Sequence, residues 1–392
     1  MPIKVLINAK AFPPVVGGVE SYSEFIARAY KRAGVIPVVL TAFNGRVGWH
    51  ERDYPEGPIR VLNVGMGPQP VVFLKMLVAS AWVRLTQKFD LLHATTWRAA
   101  LAILPFRNRK PFVLTVHGQE VLNYPAILKR PMISALVTSD LVITVSHVSM
   151  EAARSALFGA QPKGRWQVNF NGLSYLKEAT AHVRKPVDRN RIRIVSFARL
   201  AVRKNFEGCL AALALLRDEA ITNFHYTIAG TGPLKQKIEG LIQDLDLGDH
   251  VTMVGYVDEA DIPDLYRSTD IFLHPQTASE TGRDLEGFGL AIADSISFGA
   301  AAVVGKDGGP KDFVAHGERG LVVDGNNTSD IADALRVLLT DPDVLERLST
   351  TGRHWCLKNL SWDRHVAQVL DFFSLGARLQ TVQEGQTHEV GS

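Results

Sequence analysis

Short runs of apolar, mostly β-branched residues alternate along the chain with longer segments whose apolar positions recur at helical spacing. Six such runs in the first part of the chain predict strands: 4–8, 36–41, 59–64, 91–94, 112–116 and 141–145. Nearly every position in them is apolar, which is typical of strands that are buried on both faces. The alternation therefore predicts a parallel sheet covered by helices, an α/β architecture.

The same alternation starts again at residue 192, after two stretches that lack periodicity, 159–164 and 184–190. The second series of predicted strands covers 192–197, 226–229, 251–254, 271–274, 302–304 and 321–323. We therefore predict two Rossmann-like, doubly wound domains that face a central cleft, 1–180 and 181–360, and a flexible polar tail at 381–392. Ligands of such sheets bind at the carboxyl ends of the strands.

The chain of 392 residues is 46% hydrophobic and 21% charged, a balance that indicates a folded protein and excludes a disordered one. Its net charge of +3 is small for this length, so no extended basic field predicts nucleic-acid binding. The two cysteines, Cys209 and Cys356, lie far apart in the sequence. This usage indicates a reducing compartment, no structural zinc site, and cysteines that are buried small hydrophobic residues.

The longest apolar stretch, 71–83, contains Lys75 and is shorter than the roughly 18 residues that a membrane-spanning helix needs. The apolar run at the N-terminus is too short for the core of a signal peptide. These lengths predict a cytoplasmic protein without a transmembrane segment.

Two loops of the first predicted domain carry candidate chemistry. Gly17 and Gly18 follow the first strand and open into a helix, where their amides could approach an anion; a plain flexible turn is the alternative. His117 ends the strand 112–116, where a neutral imidazole could hydrogen-bond a sugar hydroxyl or a leaving oxygen. A structural histidine is the alternative, and it is favoured for His93 and His147 at comparable strand ends.

In the second predicted domain, Arg199 and Lys204 frame the turn after the first strand, and Asn205 is a predicted N-cap of the next helix. A guanidinium and an ammonium at a helix start suit two adjacent phosphates. The alternative is a solvated basic turn, which is the prediction for Arg203.

The loop 229–234 follows another predicted strand and contains Gly230 and Gly232. It lacks the third glycine of a dinucleotide fingerprint, and Lys235 stands in that place. Pro233 in the first helical turn favours a simple tight connection between strand and helix.

The segment 280–294 holds the densest set of candidate groups. Glu286 stands just before a glycine-rich helix start, and Asp294 follows within the helix. Free amides at the helix start, together with carboxylates that accept hydroxyl protons, suit a sugar or ribose; the candidate amides are those of Phe288, Gly289 and Leu290. Asp294 is surrounded by apolar residues, so its charge needs a ligand hydroxyl or a basic side chain as a partner.

The glycine pair at 308–309 is a further candidate for close backbone approach. Two carboxylate pairs, Asp244 with Asp246 and Asp341 with Asp343, have a spacing used to hold metal ions. Both lie at predicted helix ends, where capping is the simpler explanation, so no metal is expected.

The segment 71–88 is predicted as a helix with one polar face, formed by Ser80, Arg84, Gln87 and Lys88. With the basic residues of 107–110 and 129–130, this face could rest on an anionic membrane surface. A core helix beside a solvated loop is the plainer explanation and the one favoured by the sequence.

Taken together, these motifs resemble those of the retaining, nucleotide-sugar-dependent glycosyltransferases of family 4, which have the two-domain GT-B fold. The likeness spans nearly the whole chain, and its segments are 17–20, 117–118, 171–172, 199 with 204, 229–234, 254–257, 286–289, 308–309 and 361–362. The resemblance implies that a last helix, 361–380, crosses back onto the first domain.

The resemblance also implies roles for single residues. Arg199 and Lys204 would hold the donor diphosphate, and the loop at Gly17 and Gly18 would close on it. Glu286 and the amides that follow would bind the donor sugar, which His117 would contact near the reacting centre. The donor-binding set then consists of Gly17, Gly18, Gly230, Val257, Phe288, Gly289, Leu290 and Asp294. The chain departs from the family pattern at Asp294, where a glutamate usually binds the ribose, and at Ala198, where a glycine is common.

The sequence therefore predicts an enzyme that transfers a hexose from a nucleotide-diphosphate sugar to a glycan, lipid-linked or small-molecule acceptor, as in polysaccharide biosynthesis. Retention of configuration and the absence of a metal or other cofactor are part of this expectation. Peripheral contact with the inner face of the membrane is left open beside the expected cytoplasmic location. The alternatives are a nucleotide-sugar 2-epimerase on the same fold and a non-catalytic sugar-nucleotide-binding scaffold. A nicotinamide oxidoreductase ranks last, because the Gly230 loop is incomplete.

Overall fold

A computed structural model describes residues 2–15, 17–278 and 284–377. The chain divides into two compact units. Unit 1 contains the chain up to Gly172 together with the segment that starts at Ser361, and unit 2 contains Leu173–Leu360.

Unit 1 is built on an eight-stranded sheet in the order β3-β4-β2-β1-β5-β6-β7-β8. All neighbouring pairs are parallel except β3 with β4. Its strands are β1 Lys4–Asn8, β2 Ile36–Thr41, β3 Gly48–Arg52, β4 Ile59–Asn63, β5 Leu91–Ala94, β6 Phe112–Val116, β7 Leu141–Thr144 and β8 Arg165–Val168.

The helices of unit 1 connect and cover these strands. They are α1 Gly18–Arg32, α2 Gln69–Thr86, α3 Trp97–Ile103, α4 Gln119–Leu122, α5 Lys129–Thr138, α6 His147–Ser155 and α15 Trp362–Phe372, with 3-10 turns at Leu104–Phe106 and Ala126–Leu128. In α1 the buried positions include Tyr22, Ile26, Ala29 and Tyr30, which follow the helical spacing seen in the sequence.

The sequence missed the two strands that lie at the edges of this sheet, β3 and β8. Both are rich in polar residues and only partly buried, so they lack the continuous apolar run of a central strand. The predicted parallel sheet is present in unit 1, and its one antiparallel pair among the described strands is β3 with β4, at this edge.

Unit 2 is built on a six-stranded, wholly parallel sheet in the order β11-β10-β9-β12-β13-β14. Each strand predicted from the sequence is present: β9 Ile192–Phe197, β10 Phe224–Ala229, β11 Val251–Gly255, β12 Ile271–His274, β13 Ala301–Gly305 and β14 Leu321–Val323. The doubly wound α/β fold predicted for this part of the chain is confirmed.

The helices of unit 2 are α7 Leu176–Ala181, α8 Phe206–Asp218, α9 Lys235–Asp244, α10 Ile262–Arg267, α11 Leu290–Ser297, α12 Lys311–Val314, α13 Thr328–Thr340 and α14 Pro342–Asn359, with a 3-10 turn at Val202–Lys204. Asn205 caps α8 by accepting a hydrogen bond from the Gly208 N–H, and Asp341 caps α14 in the same way, as predicted for both. Cys209 and Cys356 are free and buried, also as predicted.

The division between the units falls after Gly172, earlier than the boundary expected at 180 and 181. The difference arises because Leu173 is buried, the Ser174 N–H is bonded to Asp294, and α7 packs against α11. The first residues after Gly172 are therefore part of the core of unit 2.

Helix α15 packs on α1 within unit 1. The rings of Phe25 and Trp362 stack with centroids 5.4 Å apart, and a side chain at Gly172 would collide with Trp362. The segment that starts at Ser361 therefore completes unit 1. The predicted flexible tail, 381–392, lies outside the described residues.

Helix α2 is turned opposite to the prediction. Ser80, expected on the polar face, is fully buried with Met76 and Val83, while a row of apolar side chains is exposed: Val71, Phe73, Leu74, Val78, Trp82 and Leu85. The favoured interpretation of a core helix is therefore wrong. Among the helices of the described residues, α2 included, we find none with the length and apolar character required to traverse a lipid bilayer.

Candidate active site

A buried cluster of opposite charges lies beyond the carboxyl ends of two adjacent strands of unit 2, β9 and β12. Lys204 Nζ donates a hydrogen bond to Glu286 Oε2, and Arg203 Nη1 donates to the same oxygen over 2.6 Å. Arg203 also pairs with Asp284 at 3.2 Å. The side chains of Lys204 and Glu286 are only 10% and 14% exposed, so this ion pair is shielded from bulk water.

The cluster is ionised. Burial raises the pKa of Glu286, but the charges of Lys204 and Arg203 outweigh it and hold the pKa well below its usual range. Burial lowers the pKa of Lys204, and the charge of Glu286 opposes that effect. Glu286 is therefore a carboxylate held by cations, a good acceptor for hydroxyl groups and a poor nucleophile.

His274 joins this cluster and was missed in the sequence. It is the last residue of β12 and is 3% exposed, with Nε2 lying 3.5 Å from Lys204 Nζ and 3.7 Å from Glu286 Oε2. Burial lowers its pKa to about 4, so the ring is neutral at pH 7. Its place at a strand end, the same signal that singled out His117, could have found it.

Hydrogen bonds between segments that are distant in the sequence hold the loops that carry Lys204 and Glu286. Asn205 has a left-handed backbone (φ 57°) and donates to the carbonyl oxygens of Pro275 and Gly325, at 3.0 and 2.6 Å. The Gly309 N–H donates to the Glu286 carbonyl over 2.8 Å. The glycine pair at 308–309 thus approaches the backbone of Glu286 closely.

Arg199 and Arg203 differ in exposure and pairing from what the sequence predicted. Arg203, expected to be solvated, is only 23% exposed and pairs with two carboxylates. Arg199 is exposed and, within the described part of the chain, has no hydrogen-bond or ion-pair partner. The prediction for Arg203 is therefore wrong, while Arg199 is accessible to an anion.

Gly289 caps the start of α11, and Leu290 is its first residue. The backbone of Gly289 is left-handed (φ 85°), which lets the chain turn sharply into the helix. Phe288 is buried against Phe313, with ring centroids 4.9 Å apart. The predicted amides therefore stand at a helix N-terminus, where N–H groups lack intrahelical partners.

Gly230 lies after β10 with φ 127°, and a Cβ there would collide with the carbonyl oxygen of Ala198. Its N–H donates to the Gly255 carbonyl over 2.6 Å. This loop is thus a tight connection packed against the turn that follows β9. Val257 lies beyond β11 and is half-buried.

Asp294 has a protein partner that the sequence did not predict. The carboxylate is 2% exposed and accepts a hydrogen bond from the backbone N–H of Ser174 over 2.7 Å. Burial raises its pKa to about 7 despite the hydrogen bonds from Ser174 and Tyr175. A backbone amide therefore partners one carboxylate oxygen, and the donor-binding role of Asp294 stays a prediction.

The candidates of unit 1 lie beyond the carboxyl ends of β1 and β6. Gly17 caps α1, Gly18 begins it, and a Cβ on Gly18 would meet nothing within 4 Å. The His117 ring is half-buried and its Nε2 donates to the Thr95 carbonyl over 2.9 Å, which leaves Nδ1 as an acceptor when the ring is neutral. Two candidates are thus accessible from the same edge of this sheet.

Within the described ranges, the side chains form no group of three or more histidines, cysteines, aspartates or glutamates that could hold a metal ion.

Comparison with solved structures identifies the architecture. A sucrose-phosphate synthase from Thermosynechococcus elongatus superposes with a TM-score of 0.77 at 19% identity, over 95% of this chain and 98% of that one. The Anabaena protein HepE, in a complex with UDP and glucose, superposes with a TM-score of 0.74 at 19% identity, over 95% and 99% of the two chains. Two Rossmann-like units with candidate groups at their strand ends define a protein of the GT-B fold.

Family models and relatives then identify the family. The model described as Glycosyltransferase Family 4 matches residues 16–175, and that described as Glycosyl transferases group 1 matches 178–355. The chain is 28% identical to a GDP-mannose-dependent alpha-(1-6)-phosphatidylinositol monomannoside mannosyltransferase of Mycobacterium tuberculosis, over 94% of this chain and 97% of that one. It is 24% identical to a D-inositol 3-phosphate glycosyltransferase of Pseudarthrobacter chlorophenolicus, over 91% and 90%. The chain belongs to the family 4 glycosyltransferases.

Proposed function

We propose that this glycosyltransferase transfers a hexose from a nucleotide-diphosphate sugar, with GDP-mannose as the first candidate donor, and that the anomeric configuration is retained. The observation that carries the proposal is the buried Lys204–Glu286 pair beside the N-terminus of α11. A relative matched over 94% of the chain is named as GDP-mannose-dependent, which supports the choice of donor.

Lys204 and Arg199 are proposed to bind the donor diphosphate. When the bond between the sugar and the diphosphate breaks, negative charge grows on the leaving phosphate and positive character grows on the sugar. Cations set in place before the reaction stabilise that charge without reorganisation. Lys204 is well suited because its ammonium is already fixed by Glu286, and Arg199 because it is exposed and unpaired among the described residues. With these cations no metal ion is needed.

Glu286 is proposed to orient the donor sugar. Its Oε2 is held by Lys204 and Arg203, whereas Oε1 has no polar partner among the described residues and can accept a hydroxyl proton. Since its pKa is well below the usual range, Glu286 is neither a proton donor nor an effective nucleophile at pH 7. Retention would then follow if the leaving phosphate accepts the acceptor's proton on the face it departs from.

The acceptor is proposed to be a glycan or lipid-linked molecule at an anionic membrane surface. The outward apolar row of α2 supports this, because Leu74, Val78 and Leu85 are 58%, 61% and 86% exposed. Residues 69–89 contain lysines and an arginine but no acidic residue. An apolar face on a helix whose own charged residues are all basic suits a peripheral position at an anionic bilayer.

The donor is tested by thermal unfolding with GDP, UDP and ADP and then with their sugars. A ligand at 100 times its dissociation constant stabilises the folded state by about 2.7 kcal/mol. We expect GDP and GDP-mannose to raise the Tm most. A protein that none of these compounds stabilises would contradict the proposed donor class.

Transfer is tested with Glu286→Ala and Lys204→Ala, and with Lys237→Ala as a matched control. Lys237 is 56% exposed and pairs with Glu207 on the surface of unit 2, so its loss should change neither folding nor activity. Each of the two site variants should stay folded and transfer sugar at least tenfold more slowly. Wild-type rates in both would refute the assignment.

Product analysis by mass spectrometry distinguishes transfer to an acceptor from epimerisation of the donor. Donor binding without turnover would indicate a scaffold.

A further inference from the structure

A chain of five buried polar side chains crosses the core of unit 1, and one of its inner members, Tyr22, packs against His117. The hydrogen bonds join His365 on α15 to Tyr22 on α1 (3.0 Å), Tyr22 to Thr115 on β6 (2.8 Å), Thr115 to His93 on β5 (2.8 Å), and His93 to Tyr30 on α1 (3.1 Å). All five side chains are at most 2% exposed. We call this set the relay.

One backbone carbonyl fixes the direction of every bond in the relay. The Phe170 carbonyl can only accept, so His365 Nδ1, 3.1 Å away, carries a proton and donates to it. The ring is neutral because burial lowers the pKa of His365 to about 4. His365 Nε2 is therefore bare, and the Tyr22 hydroxyl donates to it.

The donor and the acceptor of each remaining hydrogen bond in the relay can then be assigned in turn. With its own proton used, the Tyr22 oxygen accepts from the Thr115 hydroxyl, and the Thr115 oxygen in turn accepts from His93 Nε2–H. Burial lowers the pKa of His93 to about 3, so that ring is neutral too. Its bare Nδ1 accepts from the Tyr30 hydroxyl. Removing an inner member therefore leaves both a donor and an acceptor unpaired in the core, which is costly.

The relay meets His117 through Tyr22. The two rings pack edge to face with centroids 4.8 Å apart and an angle of 83° between their planes. The backbone of His117 is also held. Its N–H donates to Glu120 Oε1 at 2.7 Å, and its carbonyl oxygen accepts from the Ser149 hydroxyl at 3.0 Å. The ring itself is held by Tyr22 and by the bond from Nε2 to the Thr95 carbonyl, and Nδ1 has no hydrogen-bond partner among the described residues.

We propose that the relay is a positioning network for His117, in which His365 and Tyr22 hold the imidazole in the orientation that presents Nδ1 as a hydrogen-bond acceptor. The effect on catalysis rests on the proposed function, whereas the orientation of the ring does not. Tyr22 and His365 are positioning residues, because they act through His117 and need not touch a substrate.

The first test is the tautomer of His117 in the ligand-free protein, read from the ¹⁵N shifts of labelled histidine rings in the wild type, Tyr22→Phe, His365→Leu and His365→Gln. We expect the Nε2–H form in the wild type and a mixture of tautomers in Tyr22→Phe and His365→Leu. His365→Gln, which can still accept from Tyr22, should restore the single form. The Nδ1–H form in the wild type would overturn the proposal, even if the Tyr22 variant failed to fold.

The second test is steady-state transfer with the donor found above. Tyr22→Phe and His365→Leu should lower kcat at least fivefold and change the donor KM less than twofold, with recovery in His365→Gln. Tyr226→Phe is the control, because it also removes a buried tyrosine hydroxyl, bonded to Ser196 at 2.7 Å in unit 2, and should keep the wild-type kcat. Folded Tyr22 and His365 variants with a wild-type tautomer and kcat would refute the relay. An inactive wild type would refute the proposed function and leave the tautomer test decisive.

Discussion

The backbone N–H of Ser174 donates to Asp294 Oδ1, so a buried carboxylate ties the start of unit 2 to helix α11. The bond joins residues far apart in the sequence and is part of the reason that the division between the units falls after Gly172. Asp294 therefore has a structural task that is independent of any ligand.

Burial of the Asp294 carboxylate makes the stability of the fold depend on pH, and the hydrogen bond from Ser174 only partly opposes that effect. Because the folded pKa of Asp294, about 7, lies above the unfolded value of 3.8, the folded state binds a proton more tightly than the unfolded state. Below pH 3.8 the carboxyl group is protonated in both states, so burying it brings no charge penalty. As the pH rises towards 7, burial of the charged form lowers the free energy of unfolding more and more. Between pH 5 and pH 8 the free energy of unfolding should fall by about 2–3 kcal/mol from this group.

Asp294→Asn should remove that dependence, since the amide oxygen can still accept from Ser174. Denaturant unfolding at pH 5 and pH 8 measures the difference. Asp341→Asn, at an exposed N-cap, is the control and should shift stability by a similar amount at both pH values. An Asp294→Asn protein as sensitive to pH as the wild type would show that the carboxylate is not the cause.

Two candidate glycines, one in each unit, should respond differently to alanine. Space is open around Gly18, so Gly18→Ala should change the free energy of unfolding by no more than about 1 kcal/mol. Gly230→Ala would drive a Cβ into the Ala198 carbonyl and should destabilise the protein by about 1–3 kcal/mol. Thermal unfolding of both variants checks the contrast.

The donor KM then distinguishes the two roles considered for Gly18, approach to the donor and a simple turn. If its backbone approaches the donor, Gly18→Ala should raise the donor KM at least fivefold in a fully folded protein. An unchanged KM would assign Gly18 to a simple turn.

Replacing Arg203 should mainly lower stability, whereas replacing Arg199 should mainly lower the transfer rate. Arg203→Ala removes two partly buried ion pairs and should lower the free energy of unfolding by about 1–2 kcal/mol. Arg199→Ala should change it by less than about 0.5 kcal/mol, because the side chain is exposed, yet slow transfer at least tenfold. Unfolding curves and transfer rates of both variants measure this, and the reverse pattern would show that the functional arginine is Arg203.

The apolar row of α2 should bind vesicles that contain anionic lipid. Replacing Leu74 and Leu85 by glutamate should weaken binding at least fivefold without loss of stability, because both side chains are largely exposed. The double variant with Leu176→Glu and Leu215→Glu introduces the same charge at two exposed leucines of unit 2 and serves as the control. Co-sedimentation with anionic and with neutral vesicles gives the measurement; equal binding of the double variant and the wild type would argue against a membrane role for this face.

Much of the fold could be predicted because central strands carry their signature locally. A strand buried on both faces, such as Phe112–Val116, is apolar almost throughout, whatever surrounds it. The edge strand Gly48–Arg52 has neighbours on one side only and keeps a polar sequence, so it could not be told from a loop.

The prediction of which side of helix α2 is buried was wrong for a related reason. Its pattern marks one side as polar, but burial of Ser80 and exposure of Leu85 depend on what the helix packs against, and the sequence of the helix does not encode that.

The sequence by itself determined which loops carry the candidate charged groups, because Lys204 and Glu286 follow strands whose ends are visible in the pattern of apolar residues. Only the tertiary structure decided which charges meet. The pairing of β9 with β12 brings Lys204 and Glu286 together across 82 positions of the chain, adds His274 and Arg203, and leaves Arg199 exposed. The partner and the burial of a charge follow from strand order and packing between distant segments, and these are properties of the whole chain that no local spacing records.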